Sequence, residues 1–117
     1  MTLTYTENKI VIIRGETRTL QLGINEPNGT PYNLTGATEI EIELENEDGT
    51  TVELKYTDSE IALITAVAGT ISVALTAAQT AALKVGNSMS FQAAITISSA
   101  VRKALFDGIL TIIEETF

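Results

Sequence analysis

A chain of 117 residues with 44% hydrophobic and 19% charged side chains has the size and composition of one globular domain, spanning 1–117. It holds neither histidine nor cysteine, which excludes Ser/His and Cys/His nucleophile pairs, imidazole or thiolate zinc sites and disulfides, and makes an enzyme unexpected. A formal net charge of −8, with only seven Lys and Arg, argues against nucleic acid.

The start, MTLTYTENK, shows no basic segment leading an apolar run, so synthesis and retention in a cytoplasm is the default expectation. KIVIIR (9–14) reads as a strand. A bend at Gly15-Glu16 leads into a second strand, TRTLQLGI (17–24), with Leu20, Leu22 and Ile24 on one face and Thr19 and Gln21 on the other. EPNGTPYNLTGA is a long loop, because Pro27, Gly29, Pro31 and Gly36 oppose regular pairing. Its Asn-x-Thr triplets at Asn28 and Asn33 matter for glycosylation only in a eukaryotic secretory route.

Strands are predicted at 38–45 and 51–56, and the turn between them sets their register. A two-residue Asp48-Gly49 turn would place charged Glu45 opposite apolar Val52. A three-residue loop, Glu47-Asp48-Gly49 with Gly49 left-handed, instead pairs Leu44 with Val52, Ile42 with Leu54 and Ile40 with Tyr56 on one face. Glu43 then meets Glu53, and Glu41 meets Lys55, on the other. Glu39, Glu41, Glu43 and Glu45 therefore form an acidic row with neighbours roughly 7 Å apart. From Thr38 to Glu60, nine acids face the single base Lys55, which accounts for the whole −8, while the remaining chain balances six acids with six bases. Such a row reads as a solvated face that blocks edge pairing, or as a face for a basic partner. A flat row diverges, whereas calcium needs six to eight converging oxygens, and no EF-hand spacing is present, so no metal site is expected.

Beyond Glu60 the charge vanishes: from Ile61 to Val101 the only charged side chain is Lys84. The 23 uncharged residues 61–83 are broken by Thr65, Gly69, Thr70, Ser72, Thr76, Gln79 and Thr80, unlike a membrane span. They divide into a short strand at 61–65, a strand at 70–75 and a short helix at about 76–84, where Thr76 and Gln79 form a capping box and Gly86 is placed to end the helix. Strands at 88–97 and 103–113 follow. In the latter the apolar alternation changes parity across Asp107-Gly108, as a bulge requires. Seven or eight short strands at this spacing predict an all-β sandwich or barrel.

The segments IIRGETRTLQLGI, NGTPYNLTGATEIEIEL, DGTTVEL and AGTISVALTAAQTAAL together resemble β-sandwich modules of tailed-phage virion proteins, in particular the immunoglobulin-like N-terminal domain of phage baseplate upper proteins. The likeness rests on Arg14-Gly15-Glu16, on Gly29 to Thr38, on Asp48-Gly49-Thr50 and on Gly69 to Leu83, and so covers nearly the whole chain. After Gly86 it departs: NSMSFQAAITIS carries Phe91 alone where the family strand is rich in aromatics.

The resemblance implies an immunoglobulin-like antiparallel sandwich of seven or eight strands. It implies a non-enzymatic virion structural protein of the tail, baseplate or fibre apparatus, made in the bacterial host cytoplasm. Partners would be other virion structural proteins, within a homo-oligomer for which a trimer is the expected state. The poorly charged 61–101 stretch suits a subunit contact, with Ile61, Leu63 and Phe91 as the candidate assembly surface. No catalytic, cofactor-binding or metal residue is implied. The alternatives are a capsid decoration or head-fibre protein, and a carbohydrate- or cation-binding module, although 5% aromatic residues and no tryptophan make a poor sugar platform.

Overall fold

The computed structural model describes residues 1–5, 9–86 and 90–114, so residues 88 and 89 of the predicted strand 88–97 lie outside the described residues. The all-β expectation holds, with more strands than predicted. These are β1 (Thr2–Thr4), β2 (Lys9–Ile13), β3 (Arg18–Asn25), β4 (Ala37–Glu45), β5 (Thr51–Lys55), β6 (Ile61–Thr65), β7 (Thr70–Leu75), β8 (Ser90–Ile97), β9 (Ala100–Phe106) and β10 (Ile109–Ile113). The single helix among the described residues, α1 (Ala77–Ala81), lies between β7 and β8.

Eight strands form one sheet in the order β5-β4-β8-β9-β1-β3-β7-β6, which curls around a single core into a near-barrel; β10 and β2 form a separate pair. Most neighbours are antiparallel, but β1 runs parallel to β9 and β2 parallel to β10. β1 was not legible as a strand. Three residues suffice for it because it sits between two partners, taking Thr2 to Leu105 on one side and Leu3 to Ile24 on the other.

The alternation read from the sequence sets the inside and the outside. Ile40, Ile42 and Leu44 of β4 are buried, as are Leu20, Leu22 and Ile24 of β3, and burial of such side chains is the main favourable term in folding. Phe91 meets Phe106 at 5.1 Å between ring centroids. The β4–β5 register agrees with the three-residue loop: Leu44 pairs with Val52, Ile42 with Leu54, Glu43 with Glu53 and Glu41 with Lys55. Gly49 has φ 88, the left-handed conformation that the loop demands.

Two expectations are corrected. Asp107-Gly108 is not a bulge within one strand. The alternation keeps its parity, with Ala104, Leu110 and Ile112 all inside and Leu105 outside, and the ladder breaks there as the Asp107 N–H donates to the Leu3 carbonyl at 3.0 Å. The chain leaves β1 and takes up β2 as its next partner. The helix, in turn, stops at Ala81, well before Gly86, which bridges to Ile112 instead. The reason lies in Asn46, buried beside the helix end: its amide donates to the Ala82 carbonyl at 3.1 Å and its Oδ1 accepts from the Lys84 N–H at 2.9 Å, unwinding the chain so that Leu83 enters the core. The N-terminal cap is as predicted, with Gln79 N–H donating to Thr76 Oγ1 and Thr76 N–H to Gln79 Oε1.

Candidate functional site

β4 lies second from the sheet edge and presents its odd-numbered side chains outward, so Glu39, Glu41, Glu43 and Glu45 do share one face. On the β5 side they meet Lys55, Glu53 and Thr51; on the β8 side they meet Thr96, Ala94, Gln92 and Ser90, all short or neutral. The small Ala94 leaves a trough of about 210 Å3 between Glu41 and Glu43 on β4 and Lys103 on β9. Lys103 is a contribution that sequence reasoning missed, since it stands two strands away and only the β4-β8-β9 order brings it near.

The four glutamates are not equivalent. Glu39 is tied down: its carboxylate accepts from Thr57 Oγ1 at 2.6 Å, from the Thr57 N–H at 3.3 Å and from the Ile40 N–H at 3.0 Å. Burial pushes its pKa up, but those hydrogen bonds and the charge of Lys55 outweigh this and hold the carboxyl below its ordinary value. Glu41 and Glu43 are joined by Glu53, with carboxylate oxygens of the three within 4.8 Å of one another. Among the described residues no ion pair joins Lys55 or Lys103 to them, the ion pairs being Arg14–Glu114 and Arg102–Glu26. Three like charges held this close repel, and a flat solvated face relieves them only through water and diffuse counter-ions. Three carboxylates can offer monodentate ligands to a hard cation, short of the six to eight oxygens that calcium takes. They equally suit a lysine or guanidinium brought by a partner.

The candidate assembly residues fare differently. Ile61 is 2% exposed and Phe91 5%, so both belong to the core, and Leu63 is half-buried against it. Strand alternation explains this: within the poorly charged 61–101 stretch Ile61, Ile71, Val73, Phe91 and Ile95 turn inward, while the strand residues alternating with them are half-buried or exposed. Among its described residues the exposed large apolar side chains are Ile64, Val67, Val85 and Val101.

A second hollow, of about 510 Å3, lies outside β3 and is lined by residues that include Thr4, Tyr5, Gln21, Gly23, Ile64 and Thr70. Gly23 is its signal in the sequence, a glycine inside a strand where another chain segment comes close. A Cβ there would meet Thr4 Oγ1 at 2.9 Å. The hydroxyls of Thr4 and Thr70 are engaged internally, donating to the carbonyls of Gly23 and Thr65. The Asn-x-Thr triplets are turn devices: Asn28 Oδ1 accepts from the Thr30 N–H at 3.1 Å and Asn33 Oδ1 from the Thr35 N–H at 2.9 Å, as Asp48 does from Thr50. No helix among the described residues is long and apolar enough to cross a membrane. No protein-family model matches the chain, and no curated protein matches it.

Proposed function

We propose that this chain is a non-enzymatic structural module of a tailed-phage virion, an assembly or attachment piece of the tail, baseplate or fibre apparatus. The observation that carries the assembly reading is the placement of exposed apolar side chains. Among the described residues, three of the eight large ones lie together on the paired strands β2 and β10, namely Val11, Ile109 and Ile113, and two more, Val101 and Leu105, lie on β9 of the larger sheet. Apolar side chains gathered on one part of a surface mark contact sites. The acidic β4–β5 hairpin provides a second, polar contact suited to a basic partner.

Strand order supports the immunoglobulin-like part of the reading. β1-β3-β7-β6 has the order of one immunoglobulin sheet and β5-β4-β8-β9 that of the other, with the N-terminal stretch divided between the first sheet and the last strand. The virion assignment itself rests on the sequence resemblance, an argument by analogy that fold alone does not replace. Cryo-electron microscopy of the virion tests it. Density fitting this chain at tail or baseplate sites, in a few to dozens of copies, is the expected result. Hundreds of copies on the head would instead mean a decoration protein, and no fitting density would end the proposal.

A further inference from the structure

Among the described residues four strands lie at a sheet edge, β5, β6, β10 and β2; β10 is partly covered by its bridge to Gly86, and β5 and β6 carry blocking devices. At the end of β5 the Lys55 N–H donates to the Glu60 carboxylate at 3.1 Å, and the Lys55 carbonyl accepts from the Glu60 N–H at 3.2 Å. β6 is interrupted by a register shift between Leu63 and Thr65. Charged side chains, lysine among them, and bulges are what natural sheets use to prevent further pairing. β2 has no bulge, proline or glycine, and its one such charge, Lys9, stands at the start of KIVII and leaves Ile10 to Ile13 uncharged.

The phase of the β2 ladder is set by the Arg14 N–H, which donates to the Ile113 carbonyl at 3.0 Å. Even-numbered residues of β2 therefore turn their backbone groups toward β10, while Lys9, Val11 and Ile13 turn theirs to the open side. Of these groups only the Ile13 carbonyl has a partner among the described residues, the Glu16 N–H at 3.4 Å. The outward face beside this edge is apolar, with Val11, Ile109 and Ile113 38%, 54% and 39% exposed.

We propose that the open edge of β2 pairs with the same edge of a second copy, antiparallel about a two-fold axis at Val11, to give a continuous β10-β2-β2-β10 sheet. A basic partner is disfavoured by Lys9, the charge of the strand, which has no ion pair among the described residues. In a second copy Lys9 falls opposite Ile13, the two lysines stand roughly 14 Å apart by strand rise, beyond the Debye length of about 8 Å at physiological salt, and Arg14, one residue beyond Ile13, is neutralised by its ion pair with Glu114. The −8 charge is also kept out of the contact, because β10 separates β2 from Gly86, and the acidic hairpin lies on that side, with Glu47 Oε1 4.0 Å from where a Cβ on Gly86 would be. Val11 pairs with Val11 and the apolar faces become continuous, an isologous contact. This inference rests on the assembly reading above for its setting, and it makes a two-fold pair, rather than a trimer, the unit of self-association.

The test exploits the absence of cysteine from the chain. In a Val11→Cys variant the two thiols would sit on the axis, on Cα atoms roughly 5.5 Å apart, within the span of a disulfide. Mild oxidation is expected to yield a covalent dimer, and Ala77→Cys on exposed α1 is expected to yield none. Sedimentation equilibrium should show a reversible dimer of the unaltered chain, weakened at least tenfold by Val11→Pro, whose missing N–H faces the open side, with an unchanged circular dichroism spectrum. Val11→Lys serves the same purpose if the proline variant does not fold. A chain that is monomeric at every concentration, a dimer indifferent to the folded variants, or crosslinking at 77 as ready as at 11 would overturn the proposal. Virions that contain the chain, and incorporate Val11→Pro normally while the protein is monomeric in solution, would remove this inference and leave the assembly reading standing. A β2-dependent dimer with no place in the virion would do the reverse.

Discussion

At the scale of single residues, the polar side chains that hold the molecule together are not the glutamates that dominate its sequence. Thr80 is fully buried; its hydroxyl donates to the Glu16 carbonyl at 2.7 Å and accepts from the Gly15 N–H at 3.0 Å, fastening α1 to the bend after β2. Thr80→Val keeps the shape and strands both backbone groups, so a loss of about 1–3 kcal/mol is expected from urea denaturation. Glu39 supplies a pH dependence. Its folded pKa lies below the ordinary 4.5, so its stabilising contribution is complete above that value and is lost as the pH falls through the lowered one. Glu39→Gln should therefore flatten the acid side of the stability profile relative to the unaltered chain, measured as denaturation midpoints from neutral to acid pH. An identical slope in the two proteins would show that Thr57 does not hold this carboxylate.

Single elements carry both strain and repulsion. In the β8–β9 hairpin, Ser98 and Ser99 have φ 50 and 66, left-handed values that serine adopts at a cost and that a two-residue hairpin requires. Replacing the pair by Asn-Gly is expected to raise stability by roughly 0.5–1.5 kcal/mol, read from the urea midpoint. On β4 the clustered carboxylates oppose one another across the ladder. Glu41→Gln with Glu43→Gln should leave the fold intact and raise the melting temperature slightly, since like charges on facing strands cost up to about 1 kcal/mol. A clear fall in melting temperature would mean that the carboxylates are held by a ligand, whereas unchanged stability with lost particle incorporation would mark them as a docking face.

Across the whole molecule the charge is lopsided, with the full −8 drawn from residues 38–60. The two ion pairs among the described residues are exposed and far too few to offset it, and exposed pairs contribute little in any case. Raising ionic strength from about 0.01 M to 0.15 M shortens the Debye length from about 30 to about 8 Å, so moderate salt is expected to raise the melting temperature. A fall with salt would mean that attractive pairs, not repulsion within the hairpin, set the electrostatic balance.

Periodicity alone determined the all-β class, the β4–β5 register with its left-handed Gly49, and the capping box of α1. Each depends on contacts within a few residues or across one turn, where side-chain type selects backbone conformation directly. It could not show that Ile61 and Phe91 face inward, because a poorly charged stretch looks the same whether it lines a core or covers a contact. The break at Asp107-Gly108 and the strand character of β1 were likewise hidden: both depend on which distant segment supplies the hydrogen bonds, and Leu3 and Asp107 are neighbours only in three dimensions. So too for the candidate sites. The acidic row was legible from alternation, but Lys103 opposite it, the closing of β5 by Glu60 and the open edge of β2 follow from strand order, which tertiary packing decides.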